Sequence, residues 1–182
     1  MFEWIAGLIP ALPLVAVLWI GVAILFGQAS GEAHERRTSR IALAASAGSL
    51  AATLALVAAR FAGELPESLT LGRWLTSGAY QVNVNFVADP LGLPLTTLAA
   101  LLCLLVTRFS VNYLHREAGF HRFFMILSLF TAAMLVLFMS GNAVLTFVGW
   151  EVAGLCSYLL IAFFQDRPVA AENATRVFVT NR

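Results

Sequence analysis

The segment NAVLTFVGWEVAGLCSYLLIAFF, Asn142 to Phe164, is apolar almost throughout, yet it carries Glu151 near its middle and no Lys or Arg. A charge at the centre of a bilayer costs about 2.5–3.5 kcal/mol on insertion scales, so such a residue faces a bundle interior, finds a cation or takes up a proton. Desolvation favours the protonated carboxyl and a nearby cation favours the carboxylate. A glutamate under both influences can load and release a proton as the cation moves. The candidate cation is Arg182. From Glu151 to the end of its helix near Gln165 is about 21 Å at the helical rise, and from Pro168 along a following helix to Arg182 is again about 21 Å. Two antiparallel helices joined by the tight QDRP turn bring the two residues to one depth. Arg176, about 12 Å in on the same arithmetic, reads as a snorkelling side chain.

Other residues bear on the same chemistry. Tyr158 shares the face of Glu151, with Phe147 and Leu155, and joins the candidate set. Gly149, Ala153 and Ser157 form a small-residue stripe on a different side, where another helix can approach closely. Asp89, just before Pro90, reads as a helix cap, with proton entry as its second reading. Glu151 also has a purely structural reading, an ion pair with Arg182 that never changes protonation.

These residues need helices that cross a bilayer. Sixty per cent of the 182 residues are hydrophobic and 12% are charged, against about a quarter charged in soluble domains; mean hydropathy is +0.84. Five segments reach the roughly 20 apolar residues that a spanning helix needs: Trp4 to Phe26, Ile41 to Phe61, Leu91 to Leu114, Phe123 to Met139 and Asn142 to Phe164. The first lacks a basic leader and exceeds the length of a signal peptide core, so it reads as a retained span kinked near Pro10 and Pro13. All eleven basic residues are arginine. Arg36, Arg37 and Arg40, then Arg108, Arg116 and Arg122, then Arg167 and Arg176 fall in three loops that share one side if every span crosses. Arg60 and Arg73 fall on the other. The positive-inside rule places the Arg-rich loops in the cytoplasm and the N-terminus outside.

Between the second and third spans, YQVNVNF alternates apolar and polar residues, the pattern of a half-buried strand. LTLGRWL is its expected partner and TSGA the turn. The fold class is therefore an all-α integral membrane bundle, five spans and the start of a sixth, with a small extracytoplasmic β-hairpin. DRPVAAENATRVFVTNR opens the sixth helix at Pro168. It ends at Arg182 without a cap, the expectation for an N-terminal piece of a longer protein.

The same inventory excludes several functions. A net charge of +1 gives no basic face for nucleic acid. Cys103 and Cys156 sit singly in apolar runs and read as packing. His34, His115 and His121 all fall in expected loops and read as solvated surface residues, with no metal site. Trp4, Trp19, Trp74 and Trp150 read as interface anchors or packing. With no phosphate loop, haem motif or Fe–S cysteine set, the chain itself is expected to hold no redox cofactor.

ADPLGLPLTTLAALLCLLVTRFSVNYL, followed by GFHRFFMILSLFTAAMLVLFMSGNAVLTFVGWEVAGLCSYLLIAFF, resembles the antiporter-like proton-translocating subunit of respiratory complex I, the NADH–quinone oxidoreductase subunit L or chain 5 family. The most specific blocks are GWE-x-x-GLCSYLLI, RFF at the start of the fourth span and the closing FVTNR. Two departures stand out: Thr107 replaces an expected histidine, and DPLG, Asp89 to Gly92, replaces DGLS. The resemblance implies that Glu151 is the fifth-helix glutamate of a proton channel and Arg182 its tuning cation. It divides the chain into two N-terminal helices with a cytoplasmic loop (1–64), a chain 5-type region of hairpin and third helix (65–122) and the start of a proton-conducting domain (123–182). It implies a non-redox subunit of a translocase in a bilayer, in a bacterial inner membrane. NADH, FMN, Fe–S clusters and quinone are expected in partner membrane and peripheral subunits. Mrp-type cation/proton antiporters, membrane hydrogenases and a bicarbonate-accumulating complex share this core and are the alternatives. A membrane scaffold without transport is the alternative of another class.

Overall fold

The computed structural model describes residues 2–27, 31–77, 80–164 and 166–181. In chain order the described elements are α1 Phe2–Leu25, α2 Glu32–Phe61, β1 Ser68–Ser77, β2 Tyr80–Val87, α3 Gly92–Tyr113, α4 Phe120–Met139, α5 Ala143–Ile161 and α6 Pro168–Thr180. The helices α1 to α5 are long and apolar enough to cross a membrane, so the five expected spans are present. The most buried of them, α4, packs against α1, α2, α3 and α5, while α6 lies on α5.

Pro10 and Pro13 are accommodated inside the helix α1, and both are buried. A proline has no N–H, so Pro13 leaves the Ile9 carbonyl without its helical donor. Ser49 of α2 donates its hydroxyl to that carbonyl at 2.7 Å. The neighbouring Gly48 permits the approach, since a Cβ there would lie 2.9 Å from Leu12 Cδ1. Ser49→Ala is therefore expected to cost about 1–2 kcal/mol, the range for a buried acceptor left unpaired between membrane helices. Pro13→Ala restores the helical donor, so adding it should cancel most of that cost in a thermal-unfolding double-mutant cycle.

The structure moves two boundaries. The helix α2 begins at Glu32, well before Ile41, so Arg36, Arg37 and Arg40 lie on its first turns and not in a loop. Acids in the first turn favour the helix there, and they also find partners. Glu32 accepts from Arg116 Nε at 3.0 Å, and Glu35 meets His115 Nδ1 at 3.1 Å. Likewise α4 begins at Phe120, so His121 lies within it. The solvated-histidine reading fails for His121, which is buried, its Nδ1 2.8 Å from the Thr38 hydroxyl. It fails in part for His115, which is half-exposed but paired. Across the same end, Arg122 Nη2 donates to the Phe163 carbonyl at 3.3 Å. These contacts bring the α1–α2, α3–α4 and α5–α6 turns to one end of the bundle, as the span count requires. Arg60 sits at the opposite end, 3.4 Å from Glu67.

The hairpin is present in the expected pairing. β1 and β2 run antiparallel, with Ser68 opposite Val87 and Ser77 opposite Tyr80, and register shifts after Thr70 and Arg73. Residues 78–79 of the expected turn lie outside the described residues. Phe86 is buried among Leu69, Met139 and Leu145, with Val84 packed beside it. The asparagine face of β2 is half-buried at Asn83 and Asn85 and exposed at Gln81. The strand's backbone is tied to the α4–α5 turn, where Gly141 N donates to the Asn85 carbonyl at 2.8 Å and Asn142 Nδ2 donates to the Asn83 carbonyl at 2.8 Å. A Cβ on Gly141 would meet the Asn85 carbonyl oxygen at 2.8 Å, so only glycine fits.

Candidate functional site

The helix α5 is held from three directions. At its start, Asn142 is the N-cap, its side chain accepting from Leu145 N at 3.0 Å. The same side chain ties the turn to β2. Asn142→Ala should cost about 1–2 kcal/mol and loosen the hairpin, visible as faster amide exchange over β2. Along one side, Gly149 and Ala153 are buried. A Cβ on Gly149 would stand 3.0 Å from Leu137 N and 3.1 Å from the Ala133 carbonyl, so the small-residue stripe is the seam with α4. On another side the helix meets α6.

Glu151 lies on that third side, about the middle of α5, and is half-buried. It lines a small niche with Trp150, Gly154, Phe178 and Asn181. Phe178 lies in the last turn of α6 and Asn181 is its C-cap, so α6 reaches the depth of Glu151, as the helical rise predicts. Tyr158 is on the same seam, nearer the Arg-rich end, with its ring 5.2 Å from that of Phe178. Glu151 and Tyr158 are therefore brought to one interface. Arg182 lies outside the described residues. Asp89 is not at this interface. Its carboxylate accepts from Gly92 N at the start of α3, beside a groove lined by Arg60 and Phe61, which is the capping arrangement. Arg176 is exposed and pairs with Glu172 one turn away at 3.2 Å.

The outer face of α5 is apolar and open, with Phe147 and Leu155 exposed. Trp150 is also exposed, but it sits at mid-helix and is no interface anchor. It lies between the Glu151 niche and a second groove lined by Phe130, Met134, Ser157 and Asn181. The spacing of Trp150, Gly154 and Ser157 at three and four residues carried this groove in the sequence, but without α4 and α6 nothing marked it as a cleft. The arrangement places a carboxyl group at mid-span on a seam between two helices, beside an amide and an indole. Such a group can bind a proton and exchange it along the seam.

The chain is similar to known proteins along its whole length. Residues 74–124 match the family model described as NADH-Ubiquinone oxidoreductase (complex I), chain 5 N-terminus. Residues 140–182, which contain α5, Glu151 and α6, match the model described as NADH:quinone oxidoreductase/Mrp antiporter, TM. A chloroplastic NAD(P)H-quinone oxidoreductase subunit 5 from Nephroselmis olivacea is 33% identical over 182 residues, 100% of this chain and 28% of its own length. The subunit 5 of the Paulinella chromatophora chromatophore is 34% identical over 176 residues, 96% of this chain and 26% of its own. Chain 5 from Synechocystis sp. is 32% identical over 179 residues, 98% of this chain and 26% of its own. The chain thus spans about a quarter of the length of the curated relatives it matches. With five apolar spans, the two domain matches in order and relatives aligned along its whole length, the chain is an integral membrane protein and belongs to the chain 5 family of NADH–quinone oxidoreductase membrane subunits.

Proposed function

We propose that this chain forms part of a proton-translocating membrane subunit of a redox-driven quinone oxidoreductase, with Glu151 as the proton carrier and Arg182 as the cation that tunes it. The observation that carries this reading is the position of Glu151: half-buried, at mid-span, on the α5–α6 seam, inside the matched antiporter-type segment. An ionisable group held there is costly unless it serves a polar path. Electron transfer takes place on NADH, FMN, Fe–S clusters and quinone in partner subunits. This subunit contributes the displacement of charge. Redox energy reaches it as a shift of a cation near Glu151, which changes the proton affinity of the carboxyl group and moves one proton along the membrane mid-plane.

The second family description also names Mrp antiporters. The chain 5 match at residues 74–124 favours the quinone oxidoreductase over that alternative. The Arg-rich end faces the cytoplasm and the hairpin end the opposite compartment, in a bacterial inner membrane or its organellar equivalent. Translocation measured in vesicles containing the full-length protein in its complex tests the reading. Replacing Glu151 with Gln should uncouple electron transfer from proton movement. Normal proton movement in that variant removes the proposal.

A further inference from the structure

A second set of titratable groups lies at the Arg-rich end, well apart from Glu151. His115, in the α3–α4 turn, has 51% of its side chain exposed, and the Glu35 carboxylate it meets at 3.1 Å has 14%. Thr38, three residues beyond Glu35 on the same face of α2, is 1% exposed, and its partner His121 is 8% exposed. Glu35 also acts electrostatically on the His121 ring. Proton-binding groups therefore run from water into the bundle in order of decreasing exposure. Beyond them the same helices still bury polar side chains. Among the described residues, the buried polar side chains all belong to α2, α3 and α4; Ser110 and Thr107 of α3 and Ser128 and Thr131 of α4 are examples. Thr107 and Thr131 spend their own protons on helix carbonyls, at 2.7 and 2.8 Å. Their oxygens remain acceptors for a proton carried by water.

We propose that Glu35, His115 and His121 form a proton-collecting site that loads a buried imidazole at the mouth of the α2–α3–α4 seam. This rests on the proton-translocation reading above and adds the route by which protons enter. A hydronium ion from the aqueous phase gives its proton to the Glu35 carboxylate or the His115 ring and leaves as water. Transfer to His121 restores that group and makes an imidazolium. Loss of a proton to a water molecule in the seam returns the neutral ring. Imidazole suits the task because one ring nitrogen can take up a proton while the other gives one away.

The other charged groups around His121 are few. From α2 come His34 and Glu35. The α3–α4 turn brings His115, Arg116 and Glu117, with Arg116 engaged by Glu32. Arg122, next along α4, is turned to the Phe163 carbonyl. Glu3, the titratable residue of α1, is at the far end, and Glu151 and Tyr158 of α5 face α6.

The test uses the full-length protein in its complex, in vesicles with pH varied on the Arg-rich side alone. Glu35→Gln and His121→Asn should each slow translocation about tenfold at a pH roughly two units above the ordinary imidazole value, and less than about twofold in acid, where protons are plentiful. A pH profile parallel to the unsubstituted protein in both variants overturns the proposal and leaves His121 as a structural tie to Thr38. If His121→Asn does not assemble, Glu35→Gln at the bundle edge decides, and an unchanged profile overturns the proposal. Glu151→Gln separates the two readings. Normal translocation there with bent profiles at Glu35 and His121 removes the Glu151 carrier and keeps the collecting site; lost translocation with unbent profiles does the reverse.

Discussion

Glu151→Gln in the full-length protein is expected to lower proton translocation by about 10²-fold or more while the protein still assembles. Gln has nearly the shape of protonated Glu and keeps hydrogen-bonding capacity in the niche with Trp150, Phe178 and Asn181, but it cannot release a proton. Removing a positioned acid–base group costs about 10²–10⁴ in rate. Glu151→Asp, which keeps the acid but withdraws it by one methylene, should fall between. The measurement is protons moved per electron transferred, normalised to assembled complex. The scaffold reading makes the opposite prediction: less assembled protein, with unchanged proton movement in each assembled copy, and recovery of assembly when the charges of Glu151 and Arg182 are exchanged.

Gly149→Val should be strongly destructive although it leaves every charge in place. The added Cβ would stand 3.0–3.1 Å from α4 backbone atoms at Leu137 and Ala133. Backbone cannot swing aside as a flexible side chain can, so α4 and α5 must separate. Overpacking costs typically about 1–3 kcal/mol, and two further methyl groups at a backbone contact place this variant at about 3 kcal/mol or beyond. Thermal unfolding in detergent, or the fraction of complex assembled, reports the loss. Gly154→Ala is the matched control one turn on. Nothing lies within 4 Å of a Cβ there, and alanine is the better helix former, so stability should stay within about 1 kcal/mol. A Gly149→Val variant as stable as Gly154→Ala would show that the α4–α5 seam is looser than the geometry requires.

The spans were legible because hydropathy over about 20 residues depends on the bilayer and not on tertiary detail. The hairpin was legible because its alternation is a property of one strand. The boundaries of α2 and α4 were not, because charged residues read as loop until their partners are known. Glu32 and Glu35 are held in a helix by Arg116 and His115, far along the chain. His121 was misread for the same reason: only the distant Thr38 reveals that it is inside. For the candidate site, the cost of placing a carboxyl group in oil is what singles out Glu151 in the sequence. Which helix it faces depended on which side of α5 was already taken. The stripe of Gly149 and Ala153 was visible in the sequence, but its occupant, α4, was not.

The strap formed by β2 across the α4–α5 turn decides which wall of the Glu151 niche is held fast. Asn142 and Gly141 bolt the head of α5 to the strand, and Gly149 locks its flank to α4. Such a helix is an anvil: the bonds at its head resist sliding, and the backbone contact on its flank resists rolling. The other wall of the niche is the end of α6, so the geometry around the acid is set by a bolted helix on one side and by the residues Phe178 and Asn181 on the other.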